Sequence, residues 1–287
     1  MNLNPTPSLN PIEDIRLLVS FPFMVHALLA GTIVAVLAAV IGWYMVLRRQ
    51  TFSGHTLSVL AFPGATGAAL IGLPTTLGYY LACGGAALAM AGRAHPRRAS
   101  RSGDTAIVGT VQAIGLAAGY LFLSLNGAVL GGPETLLFGT VLGVTETQVL
   151  VLLAVTLVVV ALLALIARPL LLASLDAEVA DARGVPVRLL DGAFLLLLGI
   201  AVAATSQITG VLLVFALLVA PPATAQLVTM RPGRSLAIAI VAALLISWLG
   251  LGVAYFSPWP VGFWTTSFAA GLYVLTWAFT RRRNASR

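Results

Sequence analysis

The sequence contains no lysine; all 16 basic residues are arginines. This excludes a Schiff-base lysine and a Walker A lysine, so nucleotide phosphates are not held here in a P-loop. There is one cysteine, Cys83. A lone cysteine makes neither an intramolecular disulfide nor a CxxC metal site, and within its apolar run Cys83 reads as a small packing residue. Charge is also scarce, at 9% of residues, where a soluble domain carries about 25%. So little charge does not cover a water-facing surface. With 59% of the 287 residues hydrophobic, lipid is the solvent for most of the chain. Neither HExxH nor paired aspartates occur within an apolar run, which removes the support for a membrane-embedded enzyme. The net charge of +7 does not indicate nucleic acid, because the arginines stand in short clusters between apolar runs rather than along a basic face.

Those apolar runs cover residues 23–47, 57–73, 75–92, 105–125, 148–168, 189–206, 209–228, 236–256 and 262–280. Each approaches the roughly 20 residues that a helix needs to cross a bilayer. The expected fold is all-α: a polytopic transmembrane helix bundle of about nine spans. The arginines supply an independent test. Arg48 and Arg49 follow the first run, and Arg93, Arg97, Arg98 and Arg101 follow the third. Arg168, Arg183 and Arg188 lie between the fifth and sixth, Arg231 and Arg234 follow the seventh, and Arg281 to Arg283 follow the ninth. Every cluster falls on one side, and the positive-inside rule then predicts the N-terminus outside and the C-terminus in the cytoplasm. Residues 1–22 read as an extracytoplasmic tail with an interfacial helix over 12–20, without the basic n-region of a cleavable signal peptide. Residues 23–280 read as the transmembrane domain, and 281–287 as a basic cytoplasmic tail. The tryptophans, Trp43 among them, are expected near the membrane interfaces. Gly115 and Gly119 form a GxxxG pair suited to close helix approach.

Three features carry chemistry. First, Ser174–Pro186 is punctuated as a helix of about two turns: Asp176 as N-cap, Glu178 in the first turn, Asp181 and Arg183 following, Gly184 as the C′ residue and Pro186 as a stop. Such a capped helix suits docking to a partner, and equally an ordinary solvated loop. Second, His55, Ser58 and Thr66 share one run and about one face, with Gln112 the polar group of the fourth run. Intramembrane polar groups of this kind are candidates for a translocation pathway; His55 alone is also compatible with a capping or interface role. Third, Pro63-Gly64 and Pro221-Pro222 interrupt two runs. Proline removes a backbone donor, so both are expected either to open a pathway or simply to bend for packing. Asp191 is expected to cap its helix or to pair with nearby Arg188.

Three segments carry a resemblance. Phe23–Gly31 through Val46-Leu-Arg-Arg49, then Gly54-His-Thr-Leu-Ser58 and Phe62-Pro-Gly64, are similar to an "LRR…GDALSHA…LPG" pattern. Ser174–Asp191 is similar to "SFDPELARALGLPVRLLD". Gly210–Ala225 is similar to "GVLLVSALLIIPAATA". The chain thus resembles the permease subunits of metal-type ABC importers, the zinc, manganese and iron permeases, from about Phe21 to Thr280. The resemblance implies a multi-pass permease of the inner (cytoplasmic) membrane working by alternating access, with no permanently bound cofactor and no catalysis of its own. It implies a homodimer, an ABC ATPase that carries the ATP, and an extracytoplasmic substrate-binding protein or lipoprotein. The 174–186 helix becomes the coupling helix. The family's pathway Asp and His, four residues apart, fall on His55 and Val59, so His55 is left as the one candidate metal contact. A metal complex or vitamin as cargo, or a stand-alone secondary transporter or channel, are the alternatives.

Overall fold

The computed structural model describes residues 16–17, 20–93, 101–126, 136, 139 and 143–285. Most of the tail and interfacial helix expected over 1–22, and the arginines of 94–100, lie outside them. All the longer elements are helices: α1 (Pro22–Leu47), α2 (Thr51–Leu70), α3 (Thr75–Arg93), α4 (Arg101–Asn126), α5 (Glu146–Leu175), α6 (Ala177–Ala182), α7 (Val187–Thr209), α8 (Val211–Val228), α9 (Pro232–Tyr255) and α10 (Val261–Ala285). By length and composition α1, α5, α7 and α9 can each cross a membrane.

Local chemistry sets many of the ends. Pro22 and Pro232 open α1 and α9, where the missing N–H costs nothing because the first turn has no partner for it. Thr145 and Gln148 form a capping box before α5. The Gln148 amide nitrogen donates to Thr145 Oγ1 at 3.3 Å, and the Thr145 nitrogen donates to Gln148 Oε1 at 2.9 Å, so two orphan donors are satisfied reciprocally. After α1, Arg49 adopts φ +57°, a left-handed conformation that costs a non-glycine residue about 1 kcal/mol and turns the chain into α2.

Several expectations change. α5 runs on to Leu175, so Arg168 and Pro169 lie within a helix rather than in a connection. α7 and α8 are separated by one residue, Gly210, at φ +79°. Neither proline site breaks its helix: α2 continues through Pro63, and α8 through Pro221 and Pro222. α10 extends to Ala285, so the basic segment from Arg281 continues a helix instead of forming a separate tail. Trp43 is 4% exposed, and its Nε1 donates to Ser235 Oγ at 3.0 Å, so it is a core residue and not part of an interfacial belt.

The chain divides into two compact units. One comprises the described residues of 1–46, 140–156 and 216–287; the other comprises Leu47–Gly139 and Leu157–Phe215. In the second unit α2 packs on α3, α4 and α7, and α3 packs on α7. Backbones meet there through glycine. A Cβ on Gly64 would collide with Ala82 Cβ and lie 2.5 Å from the Gly78 carbonyl oxygen, and one on Gly78 would lie 2.7 Å from Ala68 Cβ. The GxxxG pair performs as expected: Cβ atoms at Gly115 and Gly119 would lie 2.7 Å from Leu60 and 2.6 Å from Phe62. Cys83 is fully buried, and its thiol donates to the Leu57 carbonyl at 3.5 Å, consistent with a packing residue. In the first unit Gly42 of α1 lies against the carbonyl of Leu218 in α8. Pro222, four residues further on, has removed that carbonyl's helical donor, so the prolines allow a close helix crossing there.

Candidate functional site

The chemistry-bearing residues of the second unit gather in two places. At the first, α5 ends, α6 forms a turn and a half, and α7 begins. Asp176 caps α6: one Oδ1 accepts from the Glu178 and Val179 nitrogens, both at 3.0 Å. The far end closes as a Schellman motif, with the Gly184 nitrogen donating to the Asp181 carbonyl at 2.9 Å and the Val185 nitrogen to the Ala180 carbonyl at 3.0 Å. Gly184 has φ +77°, the left-handed value this motif needs. Ala180 is fully buried, while Asp176, Glu178, Asp181, Arg183 and Gly184 are exposed. One methyl seats the helix against its own chain, and its acidic side faces outward beside exposed Leu175 and Leu189.

Beside this turn lies a brace that the sequence reading missed. The Arg48 guanidinium ion-pairs with Asp191, donates to Ser174 Oγ at 3.1 Å, and lies 5.4 Å from the centre of the Phe194 ring. The side chains of Arg48 and Asp191 are only 7% and 24% exposed. Asp191 therefore pairs with Arg48, 143 residues away, and not with Arg188. The brace ties the segment before α2 to the last turn of α5 and the second turn of α7, the helices that flank α6. Arg48 Nε is buried without a partner, so the guanidinium is not fully satisfied. The doubled arginine after an apolar run was the available signal, but nothing in the sequence pairs it with residue 191.

The second place is α2 itself. His55 is half-buried, its Nδ1 is buried without a hydrogen-bond partner, and its ring lies 4.7 Å from that of Phe215. An imidazole nitrogen in that position is available as an acceptor or ligand. Ser58 and Thr66 turn back onto their own helix, donating to the carbonyls of Gly54 at 3.0 Å and Phe62 at 3.1 Å. Such back-bonding satisfies a hydroxyl in a low-dielectric interior. Thr56, unmarked in the sequence reading, accepts from Gln112 Nε2 of α4 at 2.8 Å. Gln50, just before α2, has a buried Oε1 without a partner. Val59, one turn beyond His55, is buried and apolar. Further along α2, Gly64 lies at the crossing with α3, and Pro63 lies against Gly115 and Gly119 of α4. Pro221 and Pro222 are buried in α8 and belong to the other unit. Among the described residues no group of three or more His, Cys, Asp or Glu side chains is placed to hold a metal ion.

Comparison with known proteins gives a consistent result. Residues 20–280 match the model of the ABC 3 transport family. The chain is 32% identical over 237 residues to the chelated iron transport system membrane protein YfeC of Yersinia pestis, covering 83% of this chain and 79% of that one. It is 30% identical over 240 residues to the manganese transport system membrane protein MntC of Halalkalibacterium halodurans, covering 84% and 80%. Among solved structures, PsaBC from Streptococcus pneumoniae in complex with Fab superposes with a TM-score of 0.78 at 22% identity, covering 92% of this chain and 94% of that one; the fold is shared. The chain belongs to the ABC 3 transport family, as the multi-pass membrane permease of an ABC importer.

Proposed function

We propose that this permease carries manganese or iron inward across the cytoplasmic membrane, driven by ATP hydrolysed on a separate ABC ATPase. The observation that carries the coupling part is α6: a doubly capped, exposed helix seated by one buried methyl. Rigid capping at both ends lets a push on α6 pass to α5 and α7 instead of being lost in local bending. Asp176 and Gly184 hold the shape of the helix, while Glu178, Asp181 and Arg183 face the ATPase. The arginine placement supports nine spans with the N-terminus outside, made by α1 to α5 and α7 to α10. A homodimer and an extracytoplasmic substrate-binding protein or lipoprotein complete the assembly. ATP and the metal are transient visitors, so no resident cofactor is needed.

The cargo part draws on the manganese and iron systems of the relatives and on His55. Its unpartnered Nδ1 meets the cation along α2, and borderline-soft divalent metals suit an imidazole. Ser58, Thr66 and the Pro63-Gly64 site, all on α2, shape the rest of the pathway within that unit. Val59 supports a second reading, in which the metal arrives already complexed, because an apolar side chain stands where a second ligand would be expected.

Uptake of radioactive manganese and iron in cells expressing the whole system tests both parts. His55→Ala is expected to slow uptake of the bare ion at least tenfold. Unchanged uptake in that variant moves the cargo to a complex, and no uptake of either metal in any form rejects the assignment. Glu178→Arg is expected to abolish recovery of an ATPase with the tagged permease; undiminished recovery and uptake would remove α6 from the coupling role.

A further inference from the structure

The last two helices leave a groove between them. Between α9 and α10 lies an apolar cavity of about 630 Å³, lined by Ile238, Val241 and Leu245 on one side and Ser267, Gly271 and Leu275 on the other. A Cβ on Gly271 would meet nothing within 4 Å, so the glycine opens space and is not needed for a helix contact. Val241 is 55% exposed and Leu275 59%, so the groove is open along its length. It extends along α9 from Ala237 to Leu249, about 18 Å at 1.5 Å per residue, which is close to the length of an extended acyl chain.

One end of this groove is basic. Arg234 precedes Ile238 by four residues and Val241 by seven; Arg282 follows Leu275 by seven and Gly271 by eleven. On a helix these spacings continue the stripe that lines the groove. α9 and α10 follow one another through a short connection and pack together, with Gly250 near the end of α9 against Thr265 near the start of α10. The pair is antiparallel, so the start of α9 and the end of α10 lie at the same end. Arg234 and Arg282 are exposed, and beside them Arg281 lies 5.0 Å from the centre of the half-exposed Trp277 ring, an arrangement suited to the headgroup level of a bilayer.

We propose that this groove is a binding site for one anionic phospholipid, with an acyl chain between α9 and α10 and the phosphate held by Arg234 and Arg282. Charge complementarity selects the ligand: basic pockets between transmembrane helices on the cytoplasmic side recognise anionic headgroups, and guanidinium groups pair with phosphate oxygens through two parallel bonds. The site rests on α9 and α10 crossing the membrane, as the proposed function does, but not on the cargo or the ATPase.

Lipid carried through purification of the full chain in mild detergent, quantified by mass spectrometry, tests it. The expected result is anionic phospholipid enriched about tenfold over its share of the source membrane. Arg234→Gln with Arg282→Gln should return the composition to that of the membrane, and Gly271→Phe should lower the amount of all lipid retained. Lipid of bulk composition in the unaltered chain, or enrichment unchanged in the arginine double variant, overturns the site. Should Gly271→Phe not fold, quenching of tryptophan fluorescence in nanodiscs containing brominated anionic or brominated zwitterionic phospholipid is the second measurement, and equal quenching by the two overturns the proposal. A second copy of the chain as occupant would appear as a disulfide dimer of Leu245→Cys in a Cys83→Ser background, and that result would also reject the lipid. A transport assignment that failed would leave every one of these readings unaltered.

Discussion

The α2–α3–α4–α7 packing and the α9–α10 pair use the same residue type to opposite ends. In the former, Gly64 and Gly78 bring two backbones into contact, and Gly115 and Gly119 receive Leu60 and Phe62. The polar groups there are tied down too: Arg48 to Asp191, Gln112 to Thr56, Ser58 and Thr66 to their own helix. In the α9–α10 pair, Gly250 packs against Thr265 near the connection, but Gly271 faces open space and the helices leave a groove. Without a hydrophobic force between helices in lipid, close approach and polar pairing must hold a bundle together. Gly271, by contrast, lines the groove and adds no helix contact.

The largest effect expected from this contrast is at Gly78. Gly78→Leu forces a side chain onto the α2 backbone and should cost about 3 kcal/mol or more, seen as loss of monodisperse protein in size-exclusion chromatography; a normal profile would break the comparison. Arg48→Ala comes next. It leaves the part-buried Asp191 without its partner and should cost about 2 kcal/mol, read from the thermal unfolding midpoint in detergent. Asp191→Asn should cost less, because it keeps a hydrogen-bond acceptor for the guanidinium. If the brace also transmits motion, Arg48→Ala in the assembled transporter lowers cargo moved per ATP hydrolysed while the ATPase still co-purifies. Asp176→Ala removes the cap and should cost about 1 kcal/mol, and Gly184→Ala should cost about 1 kcal/mol through its left-handed backbone. Both are expected to weaken ATPase recovery more than fold stability; the reverse order would assign α6 a structural role only. The smallest effect is at Gly271. Gly271→Leu should change the unfolding midpoint in lipid-free detergent by less than about 0.5 kcal/mol, and a larger loss would show that the α9–α10 gap is structural after all.

The comparison also separates what was legible in the chain from what was not. The caps of α6 were readable because Asp176 and Gly184 act through backbone groups two to five residues away, a range that sequence spacing encodes. The GxxxG pair was readable as a contact, though not its partners. Of the two readings of Pro63 and Pro221-Pro222, an open break or a bend for packing, the break did not form, since α2 and α8 run through them. A proline costs its helix a bond, but whether the helix opens depends on what lies beside the freed carbonyl, and at Leu218 that neighbour is Gly42 of α1. Trp43 was placed at an interface on composition, yet its indole has a buried acceptor, Ser235, 192 residues away. Arg48 was read as one of a charge cluster, and its position in the fold makes it the buried half of an ion pair with part-buried Asp191.

By itself the sequence determined the membrane setting, the helical class, the short capped helix and the family, since these follow from apolar run length, local capping and contiguous motifs. Only the tertiary structure decided that His55 keeps a free Nδ1 beside Phe215, that Asp191 belongs to Arg48, and that one glycine closes a crossing while another opens a groove. The physical reason is the same for all three. Each depends on which side chain or backbone atom is brought within a few ångströms from a distant part of the chain, and in a bundle of similar apolar helices the order of residues does not specify that.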